Sequence, residues 1–229
     1  MLLDFDGTLT PIARNRTKVR LQPSVRRVLR RLAAHPKVQV YVISGRSLAS
    51  LRQVVRVPKV RLLGLHGWER LGVTLPPEQT RLVREAKRWL EQQLPPSSGI
   101  SLEDKGFGVG VHYRGAAPSA ARRAKRCVFR ALERFQPGIR LLEAKKSWEL
   151  LPEAIRGKGA TTQELLTKVR NRALPIFIGD DVSDESAFAV LRNGLAIHVG
   201  GWSQTKAKYW LRNPEEVREF LERLEAAII

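Results

Sequence analysis

The chain has 229 residues, 43% of them hydrophobic, and carries 41 Lys and Arg against 22 Asp and Glu, a formal net charge of +19. That length and apolar content suffice for one large domain or two modest ones, which excludes an intrinsically disordered chain, and no apolar run approaches the ~18 to 20 residues that cross a bilayer. The single cysteine, Cys127, excludes an internal disulfide, and with neither a second cysteine nor a histidine beside it a packed thiol is expected.

Met1 runs directly into Leu2-Leu3-Asp4-Phe5 with no basic leader region, so a cytoplasmic protein is expected. Leu2 to Phe5 reads as a short buried strand broken by Gly7-Thr8. Buried strands usually have about five residues, so this one is short and leaves a natural start upstream of Met1 open. A helix follows near 23–34 with Pro23 in its first turn, then a strand from Val38 to Ile43, a helix near 47–55 and a strand from Arg61 to Leu65. The continuous apolar runs suit a parallel sheet covered on both faces. Residues 72–77 are turn-rich and the rhythm changes. A helix near 78–94 stops at Pro95-Pro96-Ser97-Ser98-Gly99, strands run from Ile100 to Asp104 and Gly108 to Arg114, Pro118 opens a second helix, and strands Arg140 to Ala144 and Trp148 to Pro152 close the block. After Gly157-Lys158-Gly159 the first rhythm returns: helix 160–171, strand Leu174 to Ile178, helix 184–192, strand Leu195 to Val199 and a last helix near 214–227. The expected architecture is therefore an α/β, Rossmann-like parallel core of residues 1–72 and 157–229 with helices on both faces, interrupted by an inserted α+β (αββαββ) cap of residues 73–156.

The basic excess lies mainly in the first third, where residues 1–75 carry 15 basic and 3 acidic side chains; residues 76–154 carry 15 and 9, and residues 155–229 carry 11 and 10. In Val25-Arg26-Arg27-Val28-Leu29-Arg30-Arg31-Leu32 the arginines fall between apolar residues at helical spacing, as on the wet face of an amphipathic helix. No aromatic-rich RNA-binding signature, zinc-finger spacing or helix-turn-helix accompanies them. A solvated basic surface that draws anionic substrates inward is expected, with no dedicated nucleic-acid site, no membrane contact and a monomeric state.

Two acidic loops follow apolar strands. Asp4-Phe5-Asp6-Gly7-Thr8 places two carboxylates two residues apart at a strand end, so that in extended backbone they point the same way, and Gly179-Asp180-Asp181-Val182-Ser183-Asp184-Glu185 follows Ile176-Phe177-Ile178. Ligands of open α/β sheets bind beyond the carboxyl ends of the strands, and repelling carboxylates gathered there call for a divalent cation; Mg²⁺ suits an all-oxygen site. Ser44 after the second strand and Lys158 between the two acidic loops add the hydroxyl and ammonium that a phosphoryl group needs.

Asp4-Phe5-Asp6-Gly7-Thr8, Ser44, Lys158 and Gly179-Asp180-Asp181, in that order, resemble the four-part signature of the haloacid-dehalogenase superfamily of phosphatases. The resemblance implies that Asp4 is a nucleophile forming an aspartyl-phosphate and Asp6 the general acid and base, with Ser44 and Lys158 on the phosphoryl group. It further implies that Asp4, the Asp6 main-chain carbonyl and Asp180 hold Mg²⁺, and that Asp181 and Asp184 position Lys158 or metal-bound water. The finer similarity is to the trehalose-6-phosphate phosphatases, whose GDDxTDE loop is matched here with Ser183 in place of threonine. Ser44-Gly45-Arg46, Gly64-Leu65-His66-Gly67-Trp68-Glu69, Leu102-Glu103-Asp104-Lys105-Gly106 with His112-Tyr113-Arg114, and Trp148-Glu149 extend it, although Leu65 and Trp68 depart from the usual forms. Thr8, Gly45, Arg46, His66, Gly67, Glu69, Glu103, Lys105, Arg114 and Glu149 are accordingly expected at the sugar phosphate. Glu103 and Lys105, two apart on a strand, share a face, and charged groups make the strong hydrogen bonds that sugar hydroxyls favour. Relatives acting on sucrose phosphate, mannosyl-phosphoglycerate or glucosylglycerate phosphate tend to differ after the Gly-Asp pair, so Asp181 and Ser183-Asp184-Glu185 favour the trehalose branch.

Overall fold

Two sheets organise the chain, described over residues 1–13, 19–70, 76–95, 99–144, 146–169, 173–201 and 204–228 of a computed structural model. In chain order the elements begin with β1 (Leu2–Leu3), α1 (Pro23–Ala34), β2 (Tyr41–Ile43), α2 (Leu48–Val55) and β3 (Arg61–Leu63). Then come α3 (Pro77–Gln93), β4 (Ser101–Asp104), β5 (Val109–His112), α4 (Pro118–Phe135), β6 (Ile139–Ala144) and β7 (Ser147–Pro152). The last stretch holds α5 (Lys158–Thr167), β8 (Ile176–Gly179), α6 (Val182–Val190), β9 (Leu195–Val199), β10 (Tyr209–Leu211) and α7 (Pro214–Ile228). Most of the turn expected at 72–77, the Pro96-Ser97-Ser98 stop and the end of the helix expected over 160–171 lie outside the described residues.

Contacts divide the chain into a unit of Met1–Leu71 with Gly157–Ile229 and a unit of Gly72–Arg156. The first holds a six-stranded sheet in the order β10-β9-β8-β1-β2-β3, parallel throughout. Alternating side chains commit its strands to two cores. Leu2, Ile43, Phe177 and Ala196 pack with Ala187 and Phe188 of α6 and with Leu191 just after it, whereas Leu3, Val42, Ile178 and Ile197 pack with residues of α1, α2 and α7. Each fully buried side chain of this kind contributes roughly 1.5–3 kcal/mol of transfer free energy.

Boundaries differ from the sequence expectation for local reasons. The Val38 amide is spent on the His35 carbonyl (3.1 Å), closing the turn after α1, so β2 starts at Tyr41. Pro175 lacks an N–H, and β8 begins after it. Strand β10 was not anticipated: Tyr209 and Trp210 are exposed, and an edge strand of three residues carries no buried apolar pattern.

The second unit holds an antiparallel sheet in the order β4-β5-β7-β6. Val109, Val111, Ile139, Trp148 and Leu150 of the sheet meet Val83, Ala86 and Leu90 of α3 and Ala124, Val128 and Ala131 of α4, so both helices cover one face; Cys127 is buried in the same cluster. Among the described residues no helix is long and apolar enough to cross a membrane.

Candidate functional site

Strand order gathers the two acidic loops. Strand β1 lies between β8 and β2 with Leu3 opposite both Ile178 and Val42, so the residues that follow, Asp4, Gly179-Asp180 and Ser44, leave the sheet side by side at its carboxyl edge. The Asp4 amide still bonds the Ile178 carbonyl (2.9 Å); the chain then turns tightly, with the Gly7 amide on the Thr10 carbonyl (2.7 Å) and the Leu9 and Thr10 amides on the Phe5 carbonyl. Gly7 has φ +93°, and a Cβ there would lie 2.1 Å from Asp180 Oδ2. Only glycine combines that backbone conformation with the close approach of the Asp180 carboxylate. Thr8 is fully buried and donates weakly to Asp180 Oδ1 (3.5 Å).

Lys158 opens α5 as its first residue, after Gly157 with φ +84°. Its Nζ donates to Asp4 Oδ1 and to Asp184 Oδ1, each at 2.7 Å, and all three side chains are buried. Burial acts to lower the Lys158 pKa, but the charges of Asp184 and Asp4 overcome it and hold the proton on the amine. The Asp184 carboxyl is pushed up to about 7, by burial first, with Lys158 opposing and the Asp4 charge adding. Asp184 Oδ2 also accepts from the Asp181 amide (2.9 Å), and the Asp181 side chain accepts from the Val182 amide (2.7 Å), a capping box that starts α6. Oxygens of Asp4, Asp180 and Asp184 lie within 4.8 Å of one another. Three carboxyl groups gathered round one ammonium offer the hard oxygen donors and the acidity that fit a divalent cation.

Asp6 takes a different partner from Asp4. Arg46 grips it bidentately, Nε to Oδ2 at 2.7 Å and a terminal nitrogen to Oδ1 at 2.6 Å, with the guanidinium 5.2 Å from the centroid of the Phe5 ring. The Arg46 amide bonds Ser44 Oγ (3.2 Å), across Gly45. Ser44 is not the cap of α2; Ser47 is, accepting from the Ser50 amide (3.2 Å). Leu65 (φ +46°) and His66 (φ +58°) are both left-handed, held there by bonds of their amides to the Arg46 and Ser44 carbonyls, 2.8 Å each. Such backbone costs of order 1 kcal/mol or more per residue and persists where its surroundings overdetermine it. His66 is buried, and its carbonyl accepts from Thr161 of α5 (3.3 Å), which also lies against Gly67. The Glu69 carboxylate accepts from the Leu48 amide at the start of α2.

In the second unit, β4 ends at Asp104, whose carboxylate accepts from the Gly106 amide (2.8 Å). Lys105 therefore lies in the β4–β5 turn rather than on the strand, because Gly106 takes φ +79°. It still shares a face with Glu103: a Cβ at Gly110 would lie 3.4 Å from Lys105 Cε and 3.5 Å from Glu103 Cβ. Glu103, Gly110, Glu149 and Leu142 are opposite one another across the four strands. Lys105 and Glu149 form a buried ion pair, and His112 Nε2 meets Glu103 Oε2 at 2.7 Å. Arg114 lies exposed past the end of β5.

A family model described as trehalose-phosphatase matches residues 2–215. A trehalose-phosphate phosphatase of Mycobacterium tuberculosis is 33% identical over 98% of the chain and 60% of its own length, so the chain spans about three-fifths of that relative. A probable trehalose-phosphate phosphatase of rice, Oryza sativa, is 31% identical over 98% of the chain and 68% of its own length. Among solved structures, the C-terminal domain of trehalose-6-phosphate phosphatase from Candida albicans aligns with a TM-score of 0.82 at 24% identity, covering 100% of this chain and 92% of that one, a likeness that bears on the fold alone.

Proposed function

The chain belongs to the trehalose-phosphatase family, and from that premise we propose that it hydrolyses trehalose 6-phosphate to trehalose and phosphate with Mg²⁺ bound. The observation that carries the reading is the buried Asp4–Lys158–Asp184 chain beside Asp180, at the carboxyl ends of adjacent parallel strands. Asp4 and Asp180, with the Asp6 carbonyl beside Gly7, would hold Mg²⁺, and Asp184 adds its charge; the ion supplies neutralisation of the phosphoryl oxygens when bound. Asp4 attacks phosphorus, the bond from phosphorus to the sugar oxygen breaks, and Asp6 gives that oxygen its proton. Asp6 then takes a proton from water, whose oxygen attacks the aspartyl-phosphate and releases phosphate and free Asp4. Lys158 holds Asp4 in place, and Ser44 offers a hydroxyl to the phosphoryl group.

Both Asp6 oxygens are bonded to Arg46, so at least one of those bonds must open before Asp6 carries a proton. Glu103, Lys105 and Glu149 form the polar row read as the sugar-recognising surface, with Arg114 beyond it; a buried Lys–Glu pair is costly to assemble and suits recognition better than stability. His66, Gly67 and Glu69 act through the shape of their turn, since His66 is buried and Glu69 secures the start of α2.

The test is phosphate release from trehalose 6-phosphate, sucrose 6-phosphate, glucose 6-phosphate and an aryl phosphate, with Mg²⁺ and with EDTA. Highest kcat/KM on trehalose 6-phosphate, lost in EDTA and in Asp4→Asn, is expected. Turnover of another sugar phosphate in preference would reassign the substrate, and an active Asp4→Asn would reassign the nucleophile.

A further inference from the structure

Helix α4 carries a charge pattern that phosphate-ester hydrolysis leaves unused. Its 18 residues include Arg122, Arg123, Lys125, Arg126, Arg130 and Arg134, against Glu133. Ala124, Cys127, Val128, Ala131 and Phe135 are buried in the second unit, and all six cations are exposed, with Arg123 reaching the Gln93 carbonyl at the end of α3 (3.4 Å). Arg122, Arg126, Arg130 and Arg134 recur at every fourth residue. On a helix rising 1.5 Å per residue this spaces them about 6 Å apart along a stripe of about 18 Å, drifting about 40° round the axis at each step.

Some arginines elsewhere on the surface are paired: Arg81 with Glu85, Arg212 with Glu216, and Arg218 with Glu215 and Glu222. Among the described residues, none of the six cations of α4 forms an ion pair. Like charges one helical turn apart repel and lower helix stability. Phe129 stands among them, 38% exposed, with the Lys125 ammonium 5.6 Å from its ring centroid.

We infer that the outward face of α4 docks single-stranded nucleic acid, its arginines taking successive phosphates and Phe129 offering a ring on which a base stacks. Arginine's planar fork matches phosphate bidentately, and its spacing here is comparable to the step between phosphates along one strand. A basic groove or stripe with an interleaved aromatic is how sequence-tolerant single-strand binders work. An anionic membrane fits less well, because a helix that lies in a lipid interface buries its apolar face there, and the apolar face of α4 is already committed to the core of its own unit. The net charge of +19 adds long-range attraction for any polyanion.

The experiment titrates the full chain against a fluorescent single-stranded RNA by anisotropy across salt from about 50 to 200 mM, where each neutralised phosphate contributes about −0.7 to the slope of log K against log salt. Four phosphate contacts give a slope of about −3, and the triple variant R122Q/R126Q/R130Q flattens it by about 2, losing about 100-fold in affinity near 0.1 M salt. R27Q/R30Q/R31Q on α1 removes the same formal charge and leaves the slope unchanged; circular dichroism confirms both folds. F129A weakens RNA binding while sparing inorganic polyphosphate. Equal losses in the two triple variants, absence of RNA binding at the lowest salt, tighter binding to phosphatidylserine vesicles than to RNA, or equal effects of F129A on RNA and polyphosphate would overturn the assignment.

Discussion

Lys158 sits 2.7 Å from each of two buried carboxyl groups, and its ammonium opposes the burial that drives Asp184 toward its neutral form. Removing one partner of a buried pair leaves uncompensated charge and costs about 3–5 kcal/mol. Lys158→Met is expected to lower unfolding free energy by that amount in EDTA, and by less with Mg²⁺ present, as measured by urea denaturation. Arg46 acts on Asp6 in the same local way, through two bonds and stacking on Phe5. Arg46→Gln removes the bidentate grip on the acid and is expected to lower kcat by about 10²-fold, with Arg46→Lys intermediate, because a lysine keeps the charge but not the fork. The acidic motifs make Asp4, Asp6 and Asp180 readable from local order. The partnership of Asp6 with Arg46 is not, since 40 residues separate them and nothing local pairs them.

At the scale of elements, short segments position the chemistry. The Asp181–Asp184 capping box serves two ends at once, starting α6 and presenting Asp184 to Lys158. The Asp-x-x-Asp spacing was visible in the loop, and read as a helix start it would have placed the first turn at Val182 instead of 184. Helix α5 also carries Glu164, bonded bidentately by Arg70 and again by Lys168. Those hydrogen bonds, more than the charges behind them, hold its carboxyl down to about 2. An unfolded Glu titrates near 4.3, so the contribution is fully present above about that pH and is lost as pH falls toward 2. The side chain is 42% exposed, and solvent screening keeps the effect under about 1 kcal/mol. Glu164→Gln is therefore expected to lower the melting temperature slightly at pH 7, with the gap to the parent chain closing as pH falls from about 4.3 toward 2.

At the scale of the molecule, the first unit concentrates three carboxylates and one ammonium at a sheet edge. A ligand that binds the folded state alone stabilises it by about 2.7 kcal/mol at a hundred times its Kd. Mg²⁺ is expected to raise the thermal midpoint in a concentration-dependent way, and Asp180→Asn to remove most of that rise, as scanned by calorimetry. The second unit has its own core of α3, α4 and one sheet face, leaving the other face for the polar row of Glu103, Lys105 and Glu149.

The order of elements apart from β10, the parallel character of the first sheet and the identity of the acidic and basic groups followed from sequence alone, because apolar periodicity and strand-end motifs are local properties. Tertiary structure decided what those groups touch. It put β1 between β8 and β2, gave Lys158 to Asp4 and Asp184, gave Arg46 to Asp6 and left the cations of α4 exposed. Each of these depends on which segments pack together and on which helix face is buried, and neither is contained in any short stretch of chain.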